Sequence, residues 1–139
     1  MHPASPDDLS DIKSLLTGNG LPTDGIAEHL SNFLTADKNG VVGIIGLELS
    51  ERDALLRSLA VSGDWRKRGL GSTLITQALE MARQMGAITA YLLTNTAEQF
   101  VTRWGFTPID RNEIPANLLK NSALAASCPT SSTCMQKNL

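Results

Sequence analysis

The sequence predicts an α+β fold in which a mixed, mostly antiparallel sheet is flanked by helices. The patterns follow the order of two helices, a run of strands separated by polar turns, one strong helix, a strand, a helix and terminal strands. This order does not repeat as regular strand–helix–strand units, so it does not predict a purely parallel sheet. The length of 139 residues, 42% of them hydrophobic, suffices for one domain over residues 1–139 with a continuous core.

Caps and turns set the limits of the elements in the first third of the chain. Ser5 or Asp7 can cap a helix whose apolar residues recur at helical spacing. Two polar segments then interrupt the apolar pattern, and the second separates two apolar runs as a hairpin turn does. The predicted elements are a helix ending at 18–20, a turn at 21–25, a short helix at 26–30, and strands at 33–36 and 41–49 around a turn at 37–40.

The sequence after the first third of the chain predicts one long helix between two strands, followed by shorter elements. The long helix stops at Gly86 and carries one apolar face, formed by Leu74, Ile75, Ala78, Leu79 and Ala82. The other predicted elements are strands at 55–61, 90–94, 108–111 and 133–139, the long helix at 71–85, a helix starting at 95 or 96 and closing on Trp104-Gly105-Phe106, and a loop or short helix at 114–126.

Composition argues against several classes of protein. The net charge of −2 gives no global field that would attract nucleic acid. No apolar run approaches the length of a membrane span, and the N-terminal residues lack the regions of a signal peptide, so we expect a cytoplasmic protein. Cys128 and Cys134 do not have the spacing of a zinc site, and we expect reduced structural thiols and no metal, with binding of a soft metalloid by the thiol pair as the alternative.

A basic, glycine-bearing loop connects a strand to the long helix and is the most informative segment. The strand ends at Leu59-Ala60-Val61, and Arg66-Lys67-Arg68-Gly69-Leu70-Gly71-Ser72 follows. Backbone N–H groups at a helix start have no intrahelical partner, and the helix dipole adds partial positive charge, so a pyrophosphate can dock there. Gly69 and Gly71 remove Cβ atoms that would block its approach. A solvated loop is the alternative for the three basic residues.

The spacing of residues within this loop limits which class of phosphate-bearing ligand it can bind. A nucleoside triphosphate loop would need Gly-x-x-x-x-Gly-Lys-Ser/Thr, and a dinucleotide fingerprint would need glycine where Leu74 stands. The remaining pattern, Arg/Gln-x-x-Gly-x-Gly/Ala after an apolar strand, resembles the acetyl-CoA signature of the GNAT N-acetyltransferase superfamily. The later helix closing on Gly105-Phe106 is similar to that family's order of elements.

The resemblance implies acetyl-CoA as cosubstrate, inserted where the strand before the loop and the strand after the long helix splay apart. The family's first strand would have to come from residues 1–4, so it is expected to be vestigial or absent. Asn95 matches a position whose side chain often meets the cosubstrate, although it can equally cap a helix. The implied binding groups are the main chains of Leu59 and Val61 for pantetheine and the amides of Arg66, Lys67, Arg68, Gly69, Leu70, Gly71 and Ser72 for the pyrophosphate.

The catalytic positions of the family are only partly matched. Many members have a tyrosine as leaving-group acid four residues before Gly-Phe, where this chain has Val101. The only tyrosine, Tyr91, lies mid-strand and is expected to pack in the core. Another hydroxyl, a water or unassisted departure of the thiolate would then serve, or the protein binds acetyl-CoA without efficient turnover. For the base, Glu48 is the best substitute for the family's glutamate, unless it is an exposed, inert charge.

Arg57 lies among apolar neighbours in the predicted strand 55–61. Alternation places it on the face of Leu55 and Leu59, where an arginine needs an anionic partner. That partner is either Glu48 or Glu51 in a structural pair or the carboxylate of a substrate. Both possibilities stay open from the sequence.

Across most of its length the chain resembles a GNAT subgroup of arsenic-resistance N-acetyltransferases. The similar segments are Leu21-Pro22, residues 54–61, Phe100 with Gly105-Phe106, and Cys128-Pro129-Thr130-Ser131 through Met135. The resemblance implies acetyl transfer to the primary amine of a small, amino acid-like acceptor, with an arsenic-containing one as a candidate. A protein N-acetyltransferase and a non-catalytic acetyl-CoA-binding module are the alternatives. Exposed terminal strands also make a homodimer plausible.

Overall fold

The computed structural model describes residues 2–21, 23, 26–38, 40–66, 68–94, 98–116, 118 and 133–139. Its strands are β1 (His2–Pro3), β2 (Phe33–Asp37), β3 (Val41–Ser50), β4 (Asp53–Val61), β5 (Thr89–Thr94), β6 (Thr107–Ile109) and β7 (Thr133–Asn138). Its α-helices are α1 (Leu9–Gly18), α2 (Leu70–Gln84) and α3 (Glu98–Val101). Short 3₁₀ helices lie at Pro6–Asp8, Ala27–Asn32, Gly63–Trp65, Thr102–Trp104 and Arg111–Glu113.

Within the described ranges, seven strands form one sheet in the order β1-β2-β3-β4-β5-β7-β6. Every neighbouring pair is antiparallel except β4 with β5, which is parallel. The α+β fold with a mixed, mostly antiparallel sheet is therefore confirmed. The first strand is short, as expected, and pairs through only two residues, His2 with Thr35 and Pro3 with Leu34.

Helix α2 covers one face of the sheet. It begins one residue earlier than predicted, and its five predicted core residues are all buried, which confirms the apolar face read from the spacing. They pack against strand residues that include Ile45, Leu47 and Leu56. Gly86 follows the helix with φ +94°, a left-handed conformation that glycine adopts without strain.

Helix α1 and the segment that follows it cover the opposite face. Ile12 and Leu16 are fully buried and form a second cluster with Phe33, Ile44 and Ala60 of the sheet. The sheet is thus enclosed between α2 and α1, and residues of β4 contact either layer according to the direction of their side chains.

Strand β4 contains a bulge that overturns part of the predicted alternation. Gly46 of β3 pairs with Arg57 and Ile44 pairs with Ala60, so one β3 residue faces two β4 residues, Ser58 and Leu59. Ser58 has φ +61°, which is uncommon for a residue with a side chain. Arg57 remains on the α1 side, whereas Leu59 packs with the α2 cluster. Placing Arg57 and Leu59 on one face was wrong because the extra residue reverses the alternation.

The elements expected at 26–30 and 108–111 also differ from the prediction. The expected short helix at 26–30 is a 3₁₀ segment, Ala27–Asn32, with non-helical angles at His29. The strand expected at 108–111 ends at Ile109, because Asp110 and Glu113 form a capping box that starts a 3₁₀ turn. The Glu113 carboxylate accepts a hydrogen bond from the Asp110 amide at 2.9 Å. Most of the segment predicted as a loop or short helix at 114–126 lies outside the described residues.

The attachment of β1 is expected to depend on pH through His2. The Nδ1–H group donates to the Pro3 carbonyl at 2.8 Å, and Nε2 pairs with Asp37; both contacts raise the pKa of His2 above the ordinary histidine value. A raised folded-state pKa means that this contribution is present in acid and is lost as pH rises through that pKa. An NMR titration should show it, and Asp37→Asn should lower the pKa. A pKa at or below the ordinary value would contradict the contact.

Candidate active site

Strands β4 and β5 diverge at the centre of the sheet. Their parallel pairing runs from Asp53↔Thr89 to Leu56↔Leu92 and ends there, directly before the bulge. A cavity of about 120 Å³ occupies the divergence. Its wall includes Ile75 from the α2 layer and Arg57 from the α1 side of the sheet. The gap between the strands therefore brings both faces of the sheet into one space.

A larger groove of about 530 Å³ continues from β4 to the N-terminus of α2. Six of the predicted cosubstrate residues line it, and the sequence analysis missed five others, including Phe100 and Arg103. The predicted ones are Leu59, Val61, Arg66, Gly69, Gly71 and Ser72; the others are Asn19, Ala60, Trp65, Phe100 and Arg103. Lys67 and Asn95, which were also predicted, lie outside the described residues.

The two glycines of the loop have different structural roles. Gly69 has φ +80° and precedes the first turn of α2, so the loop turns into the helix through a left-handed residue. At Gly71, an added Cβ would lie 3.4 Å from Cζ of Phe100 and 4.0 Å from Cγ2 of Val61. A side chain at residue 71 would thus project between two groove-lining residues. This narrow approach to the helix start fits a phosphate-bearing ligand.

The arginines of the basic loop brace the loop itself. Arg66 donates from Nε to the Val61 carbonyl at 3.2 Å and from its other guanidinium end to the Asn19 side chain. The guanidinium of Arg68 lies over the Trp65 ring, 4.8 Å from its centroid. The Leu70 side chain turns into the core beside Gly43. The Arg66 amide donates to the Gly63 carbonyl at 3.4 Å, so the predicted pyrophosphate contact is left to the amides nearer the start of α2.

Arg57 and Glu48 form a buried ion pair next to the cavity. Nη1 of Arg57 donates to Oε2 of Glu48 at 3.3 Å, and its Nε donates to Oγ of Ser58 at 2.9 Å. The guanidinium also lies over the Phe33 ring, 5.7 Å from the centroid. Glu48 is only 4% exposed, so it is not the exposed surface charge that the sequence left open. Two charges removed from water in this way must keep a fixed geometry.

His29 also contacts Glu48, although no sequence pattern indicates a partner for it. Its Nε2 lies 3.8 Å from Oε1 of Glu48, and its side chain is 38% exposed. The non-helical backbone at His29 interrupts the 3₁₀ segment at the residue that makes this contact. No spacing rule could have found it, because the contact joins a connecting segment to a strand.

Val101 and Tyr91 lie in different places. Val101, at the position of the family's acid, is buried and lines the cavity together with Phe106. Tyr91 packs with Leu55 and Cys134 in another cluster, and burial raises the pKa of its hydroxyl. Burial likewise raises the pKa of the Cys134 thiol. Cys128 lies outside the described residues.

The part of the chain that the structure describes holds no group of three or more His, Cys, Asp or Glu side chains that could bind a metal ion. Its helices are too short or too polar to cross a membrane.

The chain is similar to known acetyltransferases. Residues 29–108 match the family model for the Acetyltransferase (GNAT) domain. The uncharacterized N-acetyltransferase CT2212 of Chlorobaculum tepidum is 26% identical over 132 residues, which cover 91% of this chain and 83% of that protein.

Several solved structures share the fold. N-acetylglutamate synthase of Neisseria gonorrhoeae, complexed with coenzyme A and N-acetyl-glutamate, has a TM-score of 0.86 at 20% identity, covering 99% of this chain. The match spans only 34% of that synthase. Rv2747 of Mycobacterium tuberculosis, in complex with CoA, has a TM-score of 0.83 at 21% identity, covering 99% of this chain and 98% of that one. Tetrahymena GCN5 has a TM-score of 0.72 at 20% identity, and the match covers 94% of this chain and 85% of that one.

Proposed function

Because this chain belongs to the GNAT acetyltransferase family and uses acetyl-CoA as its acetyl donor, we propose that it acetylates the primary amine of a small, amino acid-like acceptor. The observation that carries the proposal is the buried Arg57 in the wall of the cavity between β4 and β5. A guanidinium binds a carboxylate through two parallel hydrogen bonds, which selects for acids.

The groove provides a place for the acetyl donor on the α2 side. Leu59 and Val61, whose main chains the resemblance implies for the pantetheine arm, line this groove. The first-turn amides of α2 lie at its other end, where a pyrophosphate is stabilised by the helix dipole. The donor's thioester would then lie at the divergence of the strands, next to the cavity.

Arg57 places the acceptor on the opposite side of the sheet. Its contacts with Glu48, Ser58 and the Phe33 ring hold the guanidinium at one position. An acceptor whose carboxylate meets this group directs its amine towards the gap between the strands. Holding both reactants in a fixed orientation removes much of the entropic barrier to their reaction.

Proton transfer is assigned to Glu48. The acceptor amine must lose a proton as its nitrogen attacks the thioester carbonyl, so an N–H bond breaks and an O–H bond forms on a carboxylate oxygen of Glu48. His29, partly exposed and 3.8 Å from that carboxylate, offers a route from the buried site to solvent. Because Val101 has no proton to give, the thiolate leaves unassisted or takes its proton from water.

Comparisons add support for the acceptor class. The Neisseria synthase was crystallised with N-acetyl-glutamate, an acetylated amino acid. The resemblance to arsenic-resistance acetyltransferases adds an amino-bearing organoarsenical to the candidate acceptors.

A panel of acceptors tests the proposal. We expect amino acids to be acetylated with a kcat/KM about tenfold to a hundredfold above their amides and esters, because a charge-assisted pair contributes about 1.5–3 kcal/mol. Arg57→Lys, which keeps the charge but loses the two-pronged geometry, should reduce this preference by raising KM for the acids alone. Acetyl-CoA affinity, measured by calorimetry, should stay nearly unchanged.

The same panel separates the alternatives. Equal rates for acids and amides in the wild type would remove the role of Arg57 in recognition. Lysine-containing peptides as the best acceptors would indicate a protein acetyltransferase. Tight acetyl-CoA binding without turnover of any amine would indicate a binding module, the alternative favoured by Val101. Arg57→Ala is a poorer probe, because removing one partner of a buried pair destabilises the fold by about 3–5 kcal/mol.

We propose a cytoplasmic protein that pairs through an edge of its sheet, since β1 and β6 end the strand order and edge strands offer unpaired backbone groups. Analytical ultracentrifugation of the full chain tests the dimer, and a monomer at all concentrations would contradict it.

A further inference from the structure

We infer that Arg103, from the short 3₁₀ helix after α3, supplies the side-chain charge that binds a phosphate of the acetyl donor. The inference rests on the placement of acetyl-CoA in the groove and is independent of the acceptor. Arg103 is exposed and lines the groove together with Trp65 and Arg66. The sequence pattern, by contrast, assigns the phosphates to the basic loop after β4.

Two arginines of the basic loop already make contacts within and beside the loop. Arg66 bonds to the Val61 carbonyl and to Asn19, and Arg68 lies on the Trp65 ring. Both guanidinium groups therefore hold the loop in the shape that forms one wall of the groove. Moving either of them onto a phosphate would give up those contacts.

Arg103 is held beside the start of α2 by the residues around it. Cζ of Phe100 lies 3.4 Å from the Cβ position of Gly71, in the first turn of α2. Trp104 donates from Nε1 to Oγ1 of Thr76 at 3.3 Å, and the Phe100 and Trp104 rings pack with centroids 5.0 Å apart. Arg103 lies between these two anchors along the chain, so its backbone is fixed on the flank of α2.

The α2 N-terminus offers amides and a dipole, which favour an anion but leave most of its charge to be balanced. An exposed guanidinium on a flexible stem can reach across to phosphate oxygens and bind them through charge-assisted hydrogen bonds. Donor binding is therefore expected to weaken with added salt, and Arg103 should account for part of that dependence.

Calorimetric titration with free CoA tests the inference without any acceptor. Arg103→Gln is expected to lower CoA affinity about fivefold to twentyfold at low salt and to reduce its salt dependence. Arg103→Glu should lower it further. Arg83→Gln is the matched control, because Arg83 is an exposed arginine near the C-terminal end of α2 that pairs with Glu80. It should bind CoA as the wild type does.

Dephospho-CoA identifies which phosphate is bound. A loss for CoA but not for dephospho-CoA would place Arg103 on the 3′-phosphate, and an equal loss for both would place it on the pyrophosphate. Unchanged CoA affinity in a folded Arg103→Gln protein, or an equal loss in Arg83→Gln, would overturn the inference. Failure of the wild type to bind CoA would instead count against the placement of the donor in the groove.

Discussion

Replacing Gly71 with valine is expected to lower the affinity for acetyl-CoA by about a hundredfold or more, roughly 3 kcal/mol. The reason is the position of the missing Cβ, which would lie between Phe100 and Val61 in the wall of the groove. The branched side chain would fill the space through which a pyrophosphate approaches the first-turn amides of α2. Calorimetry with acetyl-CoA measures the loss directly.

Folding of this variant is expected to be preserved, which separates binding from stability. The Cβ contact of 3.4 Å with Phe100 is an ordinary van der Waals distance, and replacing glycine within a helix reduces the entropy lost on folding. Gly63→Val is the matched control, since nothing lies within 4 Å of its Cβ position in the same connection. Unchanged affinity in a folded Gly71→Val protein would remove the phosphate assignment of this loop.

Replacing Gly46 with valine should instead destabilise the fold, by about 3 kcal/mol or more. A Cβ at residue 46 would lie 2.5 Å from the ring of Phe33, its cross-strand partner, which is fully buried. The ring cannot move away freely, because it packs in the α1-side cluster beneath Arg57. A thermal melt should show a midpoint lower by roughly 10 °C.

A double-mutant cycle identifies the cause of that loss. Adding Phe33→Ala to Gly46→Val should recover part of the lost stability, because the truncated side chain makes room for the valine. Gly18→Val is the control, at a glycine with nothing within 4 Å of its Cβ position. Additive losses from the two single substitutions would show that the ring contact is not responsible.

The fold was predictable where local patterns agree with the packing. In α2, apolar residues at three- and four-residue spacing lie on the buried face, since regular helical geometry makes sequence spacing a direct measure of direction. Strand β4 shows the limit of such reasoning. The alternation rule holds up to Arg57 and fails at Leu59, because Ser58 has a left-handed backbone conformation. No turn-favouring residue in this part of the sequence predicts that conformation.

The candidate site was predictable in its backbone more than in its side chains. The loop at 66–72 was found because a helix start and glycines are local features. The contacts of His29 with Glu48 and of Phe100 with Gly71 join segments far apart in the chain, so only the tertiary structure brings them together. Arg57 was predictable in part. Its apolar neighbours indicated that it needs an anionic partner, but which carboxylate pairs with it depends on the register of the strands, which brings it to Glu48.

The bulge at Ser58 and Leu59 also limits how this strand can evolve. Deleting either residue would restore regular pairing with β3 and leave Arg57, Ala60 and Val61 on their present faces, because the bulge contributes one extra residue. A deletion elsewhere in β4 would instead exchange the two faces for every residue on one side of it, and would bring Arg57 into the apolar layer beneath α2 or remove Ala60 from the α1-side cluster. Within β4, a single-residue gap is therefore compatible with the packing at residues 58 and 59 and disruptive at the other positions. An alignment of homologues should place any single-residue gap within this strand at residues 58–59.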